Sequence, residues 1–244
     1  MRPVVRTALL VAGLAAIIQI GSWLSGPSPE ARTIAVASAT ATRGQCPAGT
    51  LPDGRACIPV PEGPVADGDA ERRGADESWI PRRPDRPESY ERYRWPVELS
   101  AEGVLPSDAN SPGGLVFPEQ RGTEVRSRQL LHQVGDAEVL AITDLIGTTV
   151  ITLHTLRHPG GLRQYVVLYG HLGETDPGLK QGTNLRPDAV IGKVGDSGRP
   201  GYVGLYLEVR QVRRNIDLTR LPVAEIRHPA RTVACDARNV FPER

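Results

Sequence analysis

Residues 203–211, "VGLYLEVRQ", decide how the second half of this chain folds. Apolar side chains alternate with other types along them. A strand sends successive side chains to opposite faces, so Leu205, Leu207 and Val209 share one face and Gly204, Tyr206 and Glu208 share the other. The aliphatic face is expected to point inward. A slip of one residue in register would exchange the two faces, so the reading is testable position by position.

Working outward, the same kind of segment recurs. "EVLAI" (138–142), "TTVITLH" (148–154), "QYVVLYGHL" (164–172) and "AVIGKV" (189–194) are short and β-branched. Between them stand "HPGG" (158–161), "ETDPG" (174–178) and "GDSGRPG" (195–201), which are turn chemistry. Short strands with Gly/Pro punctuation predict an all-β sandwich or barrel. Alternation places Val150, Thr152 and His154 on one face, and Tyr165, Val167, Tyr169 and His171 on one face. No later segment has the length and 3.6-residue period of a helix.

The chain has 244 residues and a net charge of +1, so no bulk electrostatic attraction to nucleic acid is expected. Nor does any stretch combine a basic groove with interleaved aromatics. With Met once and Phe twice, Val, Leu and Ile must fill the core. Near the N-terminus, Arg2 and Arg6 precede an uncharged run, 8–24, just long enough to cross a bilayer as a helix. The positive flank would stay inside and the remainder would be exported. A cleaved signal peptide is the other reading, and both imply export. Cys46 and Cys57 bracket a Gly/Pro-rich loop, which outside the cytoplasm predicts a local disulfide. Cys235 is left over. Residues 62–92 are rich in Pro, Arg, Asp and Glu without an apolar period, and read as a disordered linker. The expected organisation is a signal anchor or signal peptide (1–25), an exported segment with the Cys loop (26–61), the linker (62–92), a β-domain (93–228) and a tail (229–244).

The order of the motifs resembles the lysostaphin-type, or LytM-type, zinc endopeptidases that cut peptidoglycan. "RWPV" (94–97), "RGTEV" (121–125), the segment ending at His154, "YGHL" (169–172) and "IGKVGDSG" (191–198) correspond in sequence order to that family's motifs. The resemblance covers about 93–215 and implies a LytM-like, duplicated-hybrid-like β-sandwich. In the family, zinc is held by a His-x-x-x-Asp segment and by the second His of a His-x-His strand, and it activates a water for attack on a peptide carbonyl. Carried over, only His171 matches, as the assisting His of the Tyr-x-His-Leu motif. The segment before "RGTEV", 107–120, contains no His; Val116 or its neighbour Leu115 stands at the Asp position, and Asp108 lies too far upstream. Gly204 and Tyr206 replace the two His of the late strand.

The resemblance therefore implies a peptidase-type domain without its zinc ligands. The expected role is a non-catalytic binding or hydrolase-regulating module on the outer side of a membrane, tethered through the N-terminal helix. Its expected partners are peptidoglycan peptides or a cell-wall hydrolase. No cofactor is expected; the alternative is an active zinc endopeptidase cleaving peptide cross-bridges. The expected binding groove comprises Tyr169, His171, Tyr206 and Glu208, with Arg210, Arg213 and Arg214 available to pair with peptide carboxylates. His154 reads as structural, and His158 and His228, each before a Pro, as exposed. "GDSG" (195–198) also matches a serine-nucleophile motif, but it has no accompanying His–Asp arrangement.

Overall fold

The computed structural model describes residues 50–53, 56–59, 79–107 and 113–244. Among these the chain forms β1 (Thr50–Asp53), β2 (Ala56–Pro59), β3 (Trp79–Ile80), β4 (Leu105–Pro106), β5 (Gly114–Phe117), β6 (Glu124–Arg126) and β7 (Ala137–Asp144). There follow β8 (Thr148–His158), β9 (Gly161–Gly170), β10 (Leu172–Thr175), β11 (Asn184–Leu185), β12 (Val190–Val194), β13 (Leu205–Val212) and β14 (Thr232–Cys235). The remaining elements are short 3-10 helices, so the described residues are all-β as expected. No helix among them is long and apolar enough to cross a membrane. Both the 8–24 run and Cys46 lie outside the described residues.

β1 and β2 pair as a separate two-stranded sheet. The main sheet runs β11-β7-β8-β9-β13-β14-β3. One edge of β13 lies against β9 throughout. Its other edge is shared end to end: β5 pairs with its first half, Leu205–Glu208, and β14 with its second half, Val209–Val212. A second sheet, β10-β12-β6, lies across the first. Val125, Leu172, Ile191 and Val194 from the small sheet join Val139, Val150, Val167, Leu205 and Leu207 from the large one in a single core. That arrangement is the sandwich that the alternating strands predict.

A second apolar cluster lies on the opposite face of the main sheet. It comprises Leu140, Ile151, Val166, Leu168 and Val212, and it is covered by Leu218 and Ile226. Those two residues come from the connection between β13 and β14, 213–231. This connection contains two short 3-10 helices, Leu218–Arg220 and Val223–Glu225.

Strand pairing and core packing continue on both sides of 93–228. β14 pairs with β13 and, in parallel, with β3. Val240 and Phe241 are core residues. Residues 79–92, expected as linker, are built into the domain by guanidinium groups. Arg86 donates to the carbonyls of Arg238 and Phe241 at 2.8 and 2.7 Å and lies over the Tyr93 ring. Arg238 lies over Tyr90. Arg-rich sequence reads as solvated, but here its long side chains satisfy buried carbonyls and cover aromatic rings.

Candidate functional site

β13 follows the alternation expected of it. Leu205, Leu207 and Val209 enter the main core, and Tyr206, Glu208 and Arg210 take the other face. What alternation does not reveal is that this polar face is closed. Tyr206 is 3 % exposed and Glu208 0 %. The Tyr206 hydroxyl donates to Glu208 Oε2 at 2.6 Å. Arg210 Nη1 donates to Glu208 Oε1, and Arg227 Nε pairs with Oε2 at 3.1 Å. Arg210 Nε donates to Thr232 Oγ1 at 2.6 Å, and its Nη2 to the carbonyl of Arg227 at 3.0 Å. The Thr232 hydroxyl donates to the Ile226 carbonyl. Each Glu208 oxygen is thus occupied, and two guanidinium groups face the buried carboxylate.

Glycine makes room for this cluster. A Cβ on Gly114, which pairs with Glu208, would lie 2.6 Å from the Tyr206 hydroxyl and 2.8 Å from Ser107 Cβ. A Cβ on Gly113 would lie 2.2 Å from the Trp79 ring.

His171 reaches the same region by a break in alternation. It stands between β9 and β10 with φ +58° and 7 % exposure. Its amide donates to the Ile146 carbonyl at 2.9 Å, and its Nδ1 lies 2.8 Å from the Ser197 carbonyl. A carbonyl only accepts, so Nδ1 carries the proton. The imidazole meets the Tyr206 ring edge-on, with centroids 5.9 Å apart. Tyr169 does not join them. It lies in the main core with Leu205 and Leu207, on the other side of the sheet, and burial pushes its phenol pKa up. Of the expected groove residues, Tyr206, Glu208 and His171 are brought together, and Tyr169 lies apart from them. The left-handed backbone at His171 resets the side-chain direction, so counting by twos from Tyr169 to His171 fails.

Other expected residues fall as follows. Arg210 is buried in the cluster rather than available to a ligand, and Arg213 Nε donates to the Pro229 carbonyl at 2.6 Å. His154 is fully buried and structural. Its Nδ1 lies 2.9 Å from Gln133 Oε1 and its Nε2 2.8 Å from Thr152 Oγ1, and burial pushes its pKa down to about 3. His158 is half-buried against Tyr165, not exposed as expected; His228 is exposed. Ser197 of "GDSG" accepts from the Thr148 amide at 2.8 Å and donates to the Leu172 carbonyl at 2.6 Å. Its hydroxyl is spent on holding turns together and is not poised as a nucleophile.

The residues present do not fit a zinc ion. Tyr206 pairs across the strands with Val116, and Leu207 with Leu115. Neither Val116 nor Gly204 offers a donor, and Tyr206 donates its proton to Glu208. Arg210 and Arg227 bring two positive charges to Glu208, which opposes a dication there. Among the described residues, no three His, Cys, Asp or Glu side chains come together as a metal group. A cleft of about 880 Å³ lies elsewhere, lined by residues that include Glu98, Glu102, Glu119, Glu124, Arg126 and Arg128 and none of the residues above.

No family model matches the chain, and no curated protein matches it. Among solved structures, it is similar to a candidate peptidase M23 from Pseudomonas aeruginosa, with 20 % identity over 66 % of this chain and 53 % of that one, at a TM-score of 0.38. It is similar to a zinc containing peptidase from Vibrio cholerae, with 20 % identity over 54 % of this chain and 41 % of that one, at a TM-score of 0.35. It is also similar to the antimicrobial peptidase lysostaphin from Staphylococcus simulans, with 17 % identity over 54 % of this chain and 46 % of that one, at a TM-score of 0.31. The chain spans about half the length of these structures.

Proposed function

We propose that this is an exported cell-envelope protein whose peptidase-like domain works as a non-catalytic binding or hydrolase-regulating module at peptidoglycan. The observation that carries the reading is the substitution at the site itself. Val116 or Leu115, with Gly204 and Tyr206, stand where the resembled family has ligating or assisting groups, and Glu208 is taken up by Tyr206, Arg210 and Arg227. Hydrolysis of a peptide bond at neutral pH needs an activated water, and the positions of the family's zinc ligands on this face offer no metal to activate one. The 8–24 run supports tethering to a membrane, with the domain on its outer side. A Cys46–Cys57 disulfide would close a loop between tether and domain, worth about 2–3 kcal/mol locally in the chain-entropy model.

The test incubates the purified full chain with isolated sacculi. Co-sedimentation without release of soluble fragments supports the reading. Release of fragments that stops on chelation would establish the alternative, an active zinc endopeptidase. Neither binding to sacculi nor any effect on an added hydrolase would remove the cell-wall role.

A further inference from the structure

The connection 213–231 lies on the polar face of β13 as a ligand would. Ile226, 1 % exposed, inserts among Ile151, Val166, Leu168 and Val212. Its carbonyl accepts from Thr232, the Arg227 carbonyl accepts from Arg210 at 3.0 Å, and the Arg227 side chain reaches Glu208. These are the elements of peptide recognition: a pocket for an aliphatic side chain, donors to two successive carbonyls, and a carboxylate for a guanidinium. The pocket is supplied by β8, β9 and β13, and the polar partners by β13 and the start of β14, which pair through Val209–Val212.

The connection is held by side-chain contacts more than by regular structure. Within 213–231, Leu218 and Ile226 are buried, Ile216, Leu221 and Val223 pack partly buried beside them, and the regular structure is the two 3-10 helices. The base is closed by backbone hydrogen bonds from Arg213 N to Arg231 O at 2.9 Å and from Thr232 N to His228 O at 3.1 Å. A segment outside the strand ladder opens at lower cost than the core strands beneath it.

We infer that 213–231 is a displaceable strap, and that the site beneath it accepts in its place a peptide segment carrying a bulky aliphatic residue followed by Arg or Lys. The inference rests on the binding-module reading and names the chemistry of what is bound. While the strap is seated it competes at high effective concentration, so the natural chain binds such a peptide weakly. A partner presenting the motif would replace the strap and expose its residues.

The experiment uses a labelled peptide of the strap's own sequence, PVAEIRHPA (222–230), and a control in which Ile and Arg are replaced by Ala. Binding is measured by fluorescence anisotropy to the full chain and to an Ile226→Ala, Arg227→Ala double variant. Hydrogen exchange is followed over 213–231 and over 205–212 in both proteins. The expected result is that the variant binds the peptide at least about tenfold more tightly than the natural chain does and does not bind the control. Its strap amides should exchange faster while those of 205–212 remain protected. Absence of peptide binding to a variant whose strap exchanges freely would overturn the inference. So would strap amides in the natural chain as protected as those of β13, a result that needs no variant to fold. Peptide binding without sacculus binding would sink the cell-wall reading and leave this one standing.

Discussion

The two faces of β13 share one backbone and are stabilised in different ways. Toward the main core, Leu205, Leu207 and Val209 meet other aliphatic side chains without directional demands. Toward the strap, Tyr206, Glu208 and Arg210 form a cluster in which each group satisfies another. The apolar face can be repacked gradually, because its energy scales with area and volume. Removing one partner from the polar face strands the others, because a buried charge is tolerated only while it is compensated. The comparison teaches that a strand face without metal-ligating groups need not be an open groove. Here the face is closed by an internal ion cluster and by the connection 213–231.

The largest effect should come from breaking the polar face at its centre. Glu208→Ala leaves Arg210 buried without its carboxylate and is expected to cost about 3–5 kcal/mol, read from urea unfolding. A cost below about 1 kcal/mol would mean that the cluster is solvated in solution and the two faces are not different in kind.

On the apolar face, Leu207→Ala is expected to cost about 2–5 kcal/mol, as for a fully buried leucine. Tyr206→Phe, which removes one hydrogen bond to a charged acceptor and keeps the ring, is expected to cost about 1.5–3 kcal/mol. The pair sharpens the comparison. If Tyr206→Phe were neutral, the hydroxyl would be contributing nothing to the seating of Glu208.

A smaller, pH-dependent effect comes from His154, whose neutral form is locked between Gln133 and Thr152. Its folded pKa is about 3 against 6.5 for the free side chain, so below pH 6.5 the unfolded chain binds a proton that the folded chain refuses. Its stabilising contribution is present above pH 6.5 and is lost as pH falls toward 3, at a slope approaching about 1.4 kcal/mol per pH unit. Urea unfolding at pH 7 and pH 5.5 should show this slope in the natural chain and a flatter one in His154→Gln. Equal slopes would place His154 in contact with water.

The strands and their turns were legible in the sequence because period-two alternation and Gly/Pro punctuation are local signals. So was the facing of β13, where no irregularity interrupts the count. The grouping of Tyr169 with His171 came from counting through Gly170 and His171, where a positive φ breaks the period. "YGH" offers a hint of it, since Gly170 has room for no Cβ beside Ile146. The extent of the domain was not legible because Arg86 and Arg238 act through contacts with residues far along the chain. The closure of the polar face was hidden for the same reason. Arg227 meets Glu208 only once the connection folds back, and a charge run gives no sign of which carboxylate it will meet.

The central claim is that this face holds an ion cluster in place of a metal. Elemental analysis of the purified full chain, dialysed after exposure to zinc, tests it directly when combined with thermal melts before and after chelation. Zinc well below one equivalent per chain and an unchanged Tm are the predicted results. About one zinc per chain, with a Tm that falls on chelation and is restored by zinc, would contradict the account.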